Sequence, residues 1–355
     1  MQNPFTYLRT LRHVDHTVFT VAEGQKYYWE NQFLRQVAYA SGQQVKRQII
    51  EEVLRTMGKD PVPVTFYFEA PKLNEKEATT PADPNYVDQL LGGWMVTQAK
   101  GKGRTIKRRS PLSISAMRPL HPLLSSMSTE LISFDRSDRP DIHKVVVKDS
   151  GGNELTEEQI TELLAGSDRS LRRKWIPEDK NKRATGLFIY DVAIDLRTLF
   201  SISKNKLEPE LSEEKIEELK ADGWVESKNA FGECLVAEEN KRKEIISALS
   251  HALLNWRITT NQSRTFSPME VLAVAISDNA NKIAGAIRAK LSEDTEKQHA
   301  IPVIDDTAGA DLYIALPCDG YISGAHGTAN ALEDAEKKLA ELMLNYNYDN
   351  QLETT

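Results

Sequence analysis

The chain is 355 residues long, 40% apolar and 27% charged, with a formal net charge of −7. That length exceeds what one simple core holds, so two lobes or one elaborated domain are expected, of ordinary soluble globular composition. No run approaches the roughly 20 apolar residues of a membrane span, Met1–Thr10 has no signal-peptide core, and Cys234 and Cys318 form no C-x-x-C, which fits a reduced cytoplasmic setting.

Leu8–Val21 suits a first strand, with alternation from Thr17 to Val21. Gly24–Tyr39 reads as a long connection rich in aromatics: Tyr27, Tyr28, Trp29, Phe33 and Tyr39 could stack bases or anchor the connector to the core. Ser41–Met57 is a helix ending near Gly58. Ser41 is its N-cap, Gln44 completes an S-x-x-Q capping box, and Val45, Ile49, Ile50, Val53, Leu54 and Met57 share one face. Gln43, Lys46 and Arg47 fall in its first two turns, beside free N–H groups and the positive dipole end, where an anion finds donors. A capped amphipathic helix with two solvated cations is the bland alternative.

Pro61–Ser110 has the look of an insertion, with a strand at Val64–Phe68, a polar stretch, and Trp94–Thr97 leading into the basic run Lys100, Lys102, Arg104, Lys107, Arg108, Arg109. Leu112–Met117 is strand-like, and Pro119–Leu131 has the apolar content of a short helix. Ser133–Arg183 is irregular and charged. It contains a strand at Val145–Val147 and a capping box at Thr156 and Gln159. Its basic run (Arg169, Arg172, Arg173, Lys174, Lys180, Lys182, Arg183) surrounds Trp175 and Ile176. Gly186–Phe200 alternates as a central strand. Ser212–Asp222 reads as an acidic surface helix, Lys241–Trp256 as an amphipathic one, Val271–Ser277 and Leu312–Leu316 as strands, and Thr328–Asn345 as a last helix. This order indicates an α+β fold: an antiparallel sheet backed by helices, with an elaborated RRM-like βαββαβ core. The segregated basic runs create local positive fields despite the acidic total, although such runs are also commonly solvated loops.

Catalytic signatures are missing: no G-x-S-x-G, H-E-x-x-H or G-x-x-x-x-G-K-[ST] occurs, and GKGRT at Gly101–Thr105 lacks phosphate-loop spacing. His13, Asp15 and His16 are the nearest approach to a metal cluster, but on a strand His16 faces away from the other two. No enzymatic activity, metal or cofactor is expected.

Ser41-Gly42-Gln43-Gln44-Val45-Lys46-Arg47 resembles the S-x-Q-x-[LV]-K-R segment of the backbone subunit of type I CRISPR Cascade complexes, in the DevR-like branch of the RAMP superfamily. Three further segments fall in the same order. Ile114–Phe134 is similar to the palm segment before the thumb, GLFIYDVAIDLRTLF to the post-thumb strand ending in x-I-D-L, and SRTFSPMEVLAVAISD (Ser263–Asp278) to a P-x-x-[LV]-x-[VA]-A-x-S strand.

The resemblance implies an RRM-like (ferredoxin-like) palm over residues 1–60, 111–134, 185–203 and 237–355. Fingers would occupy 61–110, a thumb 135–184, and a second surface excursion 204–236. It implies a guide RNA, a DNA target, head-to-tail copies of the chain and other Cascade subunits as partners, with no membrane. Guide contacts would come from Ser41, Gly42, Gln43, Gln44, Lys46, Arg47, Arg136, Arg139, Arg172, Arg173, Lys182, Arg183 and Arg264. Target or neighbour contacts would come from Lys100, Lys102, Arg104, Lys107, Arg108, Arg109, Trp175 and Ile176, the last two as an apolar wedge or as buried thumb packing. Related type III subunits cleave RNA with an aspartate before the first helix. No Asp lies between His16 and Ser41 here, so binding without cleavage is expected. The rivals are a type III-like nuclease subunit and a protein-interaction scaffold.

Overall fold

The computed structural model describes residues 3–19, 24–69, 72–96, 104–129, 132–135, 146–165, 172–176, 182–258, 266–292 and 298–352. In chain order the elements are β1 (Phe5–Thr17), β2 (Tyr27–Glu30), β3 (Arg35–Ala38), α1 (Gly42–Met57), β4 (Thr65–Glu69), β5 (Lys72–Thr79), α2 (Val87–Gly92), β6 (Trp94–Val96), β7 (Ile106–Arg108) and β8 (Leu112–Ile114). There follow β9 (Arg118–Pro119), β10 (Ser125–Thr129), β11 (Ile132–Asp135), α3 (Glu157–Leu164), β12 (Arg172–Ile176), β13 (Lys182–Asp195), α4 (Leu196–Leu199), β14 (Ser201–Ser203), α5 (Glu213–Ala221), β15 (Val225–Asn229) and β16 (Gly232–Val236). The chain closes with α6 (Glu239–Asn255), β17 (Val271–Ser277), α7 (Ala280–Ala286), β18 (Ile287–Leu291), β19 (Ala300–Ile304), β20 (Asp311–Ile314) and α8 (Ala331–Leu344).

The central sheet runs β10-β13-β1-β17-β20, with β8 and β9 also on the outer edge of β13. Every pairing in it is antiparallel. Taking β8–β10 as one interrupted strand, the order is second, third, first, fourth, with α1 and α6 as the two crossovers. That is the RRM-like, ferredoxin-like βαββαβ arrangement, extended by β20.

Strand alternation then sorts the core. Leu8 and Val14 of β1, Phe188, Tyr190 and Val192 of β13, and Val274 and Ile276 of β17 face the helices. They pack with Val45, Ile49 and Val53 of α1, Ile245, Leu249 and Leu253 of α6, and Leu339 and Met343 of α8. Each fully buried aliphatic side chain contributes about 1.5–3 kcal/mol. Leu11, Leu187, Ile189, Leu272, Ala273 and Ala275 point the other way and are covered by Ile283 and Ala286 of α7, Ile287 of β18, Cys318 and Ile322. The second sheet face is therefore closed over these residues, leaving no open sheet surface there for bases. Burial pushes the thiols of Cys234 and Cys318 up to about 11, so both stay protonated.

Arg12 lies in the helix-side core and is 1% exposed. It donates to the carbonyls of Leu254 (2.6 Å), Trp256 (3.1 Å) and Met269 (3.1 Å). Its guanidinium sits 4.5 Å from the Trp256 ring centroid. It thereby neutralises the carbonyl end of α6.

Several elements differ from the expectations. β1 ends at Thr17: a bulge between Val14 and Thr17, with His16 at φ 40°, shifts the register before the last pair, Thr17 with Ala184, and Val18 and Phe19 lie beyond the ladder, while Thr20 and Val21 lie outside the described residues. Gly24–Tyr39 is not an open connection but holds the β2–β3 hairpin, for which its Tyr, Trp and Val are good strand formers. Among the described residues of Pro119–Leu131 there is no α-helix: Pro119 and Pro122 limit it to a single 3₁₀ turn at Pro122–Leu124, and Ser125–Thr129 pairs with the free edge of β13. Among the described residues no helix is long and apolar enough to cross a membrane.

Candidate nucleic-acid interface

The start of α1 is fastened to the palm from both sides. Ala40 and Met117 exchange two backbone hydrogen bonds of 3.0 Å each. Ser41 then turns the chain with extended backbone angles, and its hydroxyl accepts from Gln44 N at 3.3 Å. At Gly42 a Cβ would lie 2.5 Å from the carbonyl oxygen of Ile114, so only glycine lets the helix rest on the end of β8. The reciprocal half of the expected capping box does not form. The Gln44 amide nitrogen is buried without a hydrogen-bond partner among the described residues. No acidic residue occupies the first turn of α1, so the helix itself supplies no carboxylate to its positive end.

Lys46 is half-buried and donates from Nζ to Ser110 Oγ at 2.9 Å. Burial holds its pKa below the usual lysine value. Among the described residues no carboxylate pairs with it. A partly dehydrated ammonium without a counter-ion, beside a helix amino end, is a site for an external anion. Arg47 is less committed: it is exposed and its Nε is held by Glu51 Oε1 at 2.7 Å.

The β2–β3 hairpin and the start of β13 form the neighbouring edge. Gln25, buried at its base, accepts from Phe19 N (2.9 Å) and donates to the carbonyls of Lys26 (2.7 Å) and Tyr39 (3.2 Å). Arg35 donates to the Ser125 carbonyl of β10 at 2.9 Å. Lys182 lies 3.8 Å from the Tyr27 ring centroid and donates to Gln36 Oε1 at 2.8 Å. Tyr27, Tyr28 and Trp29 remain exposed.

Two cations expected at the surface are internal, and this corrects the reading of both basic runs. Arg183 is 1% exposed, its guanidinium taken up inside the protein next to the solvent-facing Lys182. Arg108 is 4% exposed. It donates to the carbonyls of Leu90, Thr198 and Ser201 under the Trp94 ring, and burial pushes it down to about 10, opposed by the charge of Glu210. Alternation on a short strand separates Arg108 from the exposed Lys107; it is a strut between the 61–110 segment and the palm. Arg104 donates to the Leu207 carbonyl, and Arg109 is exposed. Lys100, Lys102, Arg136, Arg139 and Arg264 lie outside the described residues. Arg172, Arg173, Trp175 and Ile176 form the backbone of β12, paired with β11, and the roles expected of their side chains also lie outside what is described.

A cluster of opposite charges not evident from the sequence lies on the sheet face turned away from α1, where Arg9 also donates to the Ile287 carbonyl at 2.9 Å. Arg9 grips Asp191 through two bonds of 2.6 and 3.1 Å, and the half-exposed Arg118 reaches the same carboxylate at 3.3 Å. Two cations on one anion leave a net positive spot. The signal available was Asp191 itself, a carboxylate within an otherwise apolar strand that requires cations from neighbouring strands. His13 does not approach His16. Its Nδ1 is 2.9 Å from Glu270 Oε1 and the Tyr321 hydroxyl donates to the same oxygen at 2.9 Å; burial first, and then this bond to the carboxylate, push the phenol up to about 12. Among the described residues no group of three or more His, Cys, Asp or Glu could hold a metal ion.

No protein-family model matches the chain, and no curated protein matches it. Among solved structures, one chain described as "CRISPR RNA-guided surveillance complex" is 11% identical, covering 95% of this chain and 84% of its own length, with a TM-score of 0.39. Another, described as "CRISPR RNA-guided surveillance complex, pre-nicking", is 9% identical, covering 95% of this chain and 89% of its own, with a TM-score of 0.43. Likeness this remote carries no argument about what this chain does.

Proposed function

We propose that the chain is a non-enzymatic, guide-RNA-binding backbone subunit of a type I CRISPR Cascade-like surveillance complex, of the DevR-like kind. Copies stack head-to-tail along the guide, hold its phosphates and leave its bases free to pair with target DNA. The observation that carries this reading is Lys46: a half-buried ammonium with no carboxylate partner among the described residues, in the S-x-Q-x-V-K-R segment of α1, whose first turn carries no acidic residue. Lys182, Arg118, Arg47 and the exposed Lys107 and Arg109 supply further positive charge along the RRM-like palm and its excursions. Contacts of this kind are to phosphate and sugar, so recognition is independent of guide sequence. Head-to-tail contacts do not close on themselves, so the RNA and terminal partners set the length of the stack.

The test is purification with co-expressed partners, followed by sizing and sequencing of the bound RNA. A defined guide-length RNA in the particle supports the proposal. A particle free of RNA refutes it. Periodic cleavage of complementary RNA by the assembled particle contradicts the non-enzymatic part.

A further inference from the structure

We infer that the β2–β3 hairpin is a base-stacking site for single-stranded nucleic acid, in which Trp29 receives a base and Lys182 the adjacent phosphate. This deepens the reading above and rests on it. Tyr27 and Trp29 are two residues apart on β2, so their rings share one face of the ribbon, about 7 Å apart along the strand. Ala38 and Gln36 stand opposite them on β3. Glu30 falls on the other face, where its Oε2 accepts from Phe33 N at 2.7 Å and shapes the turn.

The exposures are large for rings of this size: 41% for Tyr27 and 55% for Trp29. Neither ring is needed to hold the hairpin in place. Gln25 staples its base, Arg35 ties it to Ser125, and Phe33 packs against His121 with ring centroids 4.8 Å apart. The aromatic pair is thus displayed on a fixed scaffold, and its charge surroundings select the partner.

Lys182 is pinned over Tyr27 by the ring and by the Gln36 amide, which leaves donors of its ammonium for a phosphate. Lys26 adds an exposed cation at the start of the hairpin. An aromatic face carrying Lys182 on its own side, with the Glu30 carboxylate turned to the opposite side, matches a stacked nucleotide, which offers a π-face and an anion together. A protein partner that only buried the rings would gain nothing from Lys182. Tyr27 has one ring face taken by Lys182, so Trp29 is the open platform.

The experiment compares the intact protein with Trp29→Ala and Trp29→Phe, titrated with a single-stranded oligouridylate and with an abasic ribose-phosphate oligomer of equal length. The expected result is that Trp29→Ala weakens binding of the base-bearing oligomer about 5- to 150-fold, leaves the abasic oligomer unaffected, and keeps the wild-type melting temperature. Trp29→Phe retains most of the affinity. Lys182→Gln weakens both oligomers and lowers the salt slope by about 0.7. If Trp29→Ala binds both oligomers as wild type does, the stacking site is overturned while RNA binding stands. If that variant keeps its RNA affinity but loses self-association, the hairpin is a protein-docking surface and the inference is likewise overturned. If the wild-type protein binds neither oligomer, the broader reading falls and takes this one with it.

Discussion

Replacing Lys46 by Met separates the anion-binding role of that residue from any structural one. Methionine keeps an unbranched apolar stem and removes only the ammonium. Ser110 is not orphaned by the change, since its hydroxyl still contacts the carbonyls of Leu91 (2.7 Å) and Leu112 (3.0 Å) and accepts from Leu112 N at 3.1 Å. The burial that lowers the lysine pKa is a penalty on the charged form at neutral pH, and the variant is relieved of it. Stability should therefore change by no more than about 0.5 kcal/mol, in the stabilising direction. Binding should respond oppositely. One charge-assisted hydrogen bond to phosphate is worth about 1.5–3 kcal/mol, roughly a 10- to 150-fold loss of affinity at low salt. With one fewer phosphate neutralised, the slope of log affinity against log salt should fall by about 0.7. Fluorescence anisotropy with labelled single-stranded RNA across a salt series, beside thermal melts, reads all three quantities. A Lys46→Met protein that melts like wild type and shows unchanged affinity and slope would refute the reasoning.

Four other outcomes are expected. Gly42→Ala should destabilise the protein by about 1–3 kcal/mol in urea unfolding, because the clash with Ile114 outweighs the roughly 1 kcal/mol that alanine gains in a helix; a neutral variant would contradict the close seating of α1. Arg12→Ala should cost about 3 kcal/mol or more, since the carbonyls of Leu254, Trp256 and Met269 lose a buried donor together. Arg108→Ala should lower the melting temperature while Arg109→Ala leaves it unchanged and reduces only RNA affinity; equal effects on melting would contradict the strut assignment. Asp349, bonded to Arg242 at 2.6 and 2.8 Å, has its pKa held down by that bond. A depressed folded-state carboxylate stabilises above its unfolded value and ceases to do so as pH falls through the folded one. The stability difference between wild type and Asp349→Asn, read from urea unfolding across pH, should thus be present at neutral pH and shrink as pH falls below the ordinary carboxylate range.

Much of the architecture was legible because it rests on local signals. Ser41 and Gly58 bracket α1 as read, the apolar spacing of α6 and α8 marks their buried faces, and Thr156 with Gln159 forms a complete capping box. What escaped depends on partners far away in sequence. The edge of β13 converts Ser125–Thr129 into strand, and nothing within Pro119–Leu131 announces that edge. The orientation of a cation is likewise a tertiary matter. Arg108 and Arg183 carry the same composition signal as Lys107 and Lys182, yet each lies one residue away on the inward face of a strand. The exposed aromatics of the hairpin were visible as residues, but whether they anchor or project is decided by Gln25, Arg35 and Phe33, which take over the anchoring.

The most direct measurement is native mass spectrometry of the chain mixed with single-stranded RNAs of stepwise increasing length. The number of bound copies should climb in regular increments as the RNA lengthens, with separated monomers when RNA is digested. A population that remains monomeric and RNA-free at every length contradicts stacking along RNA.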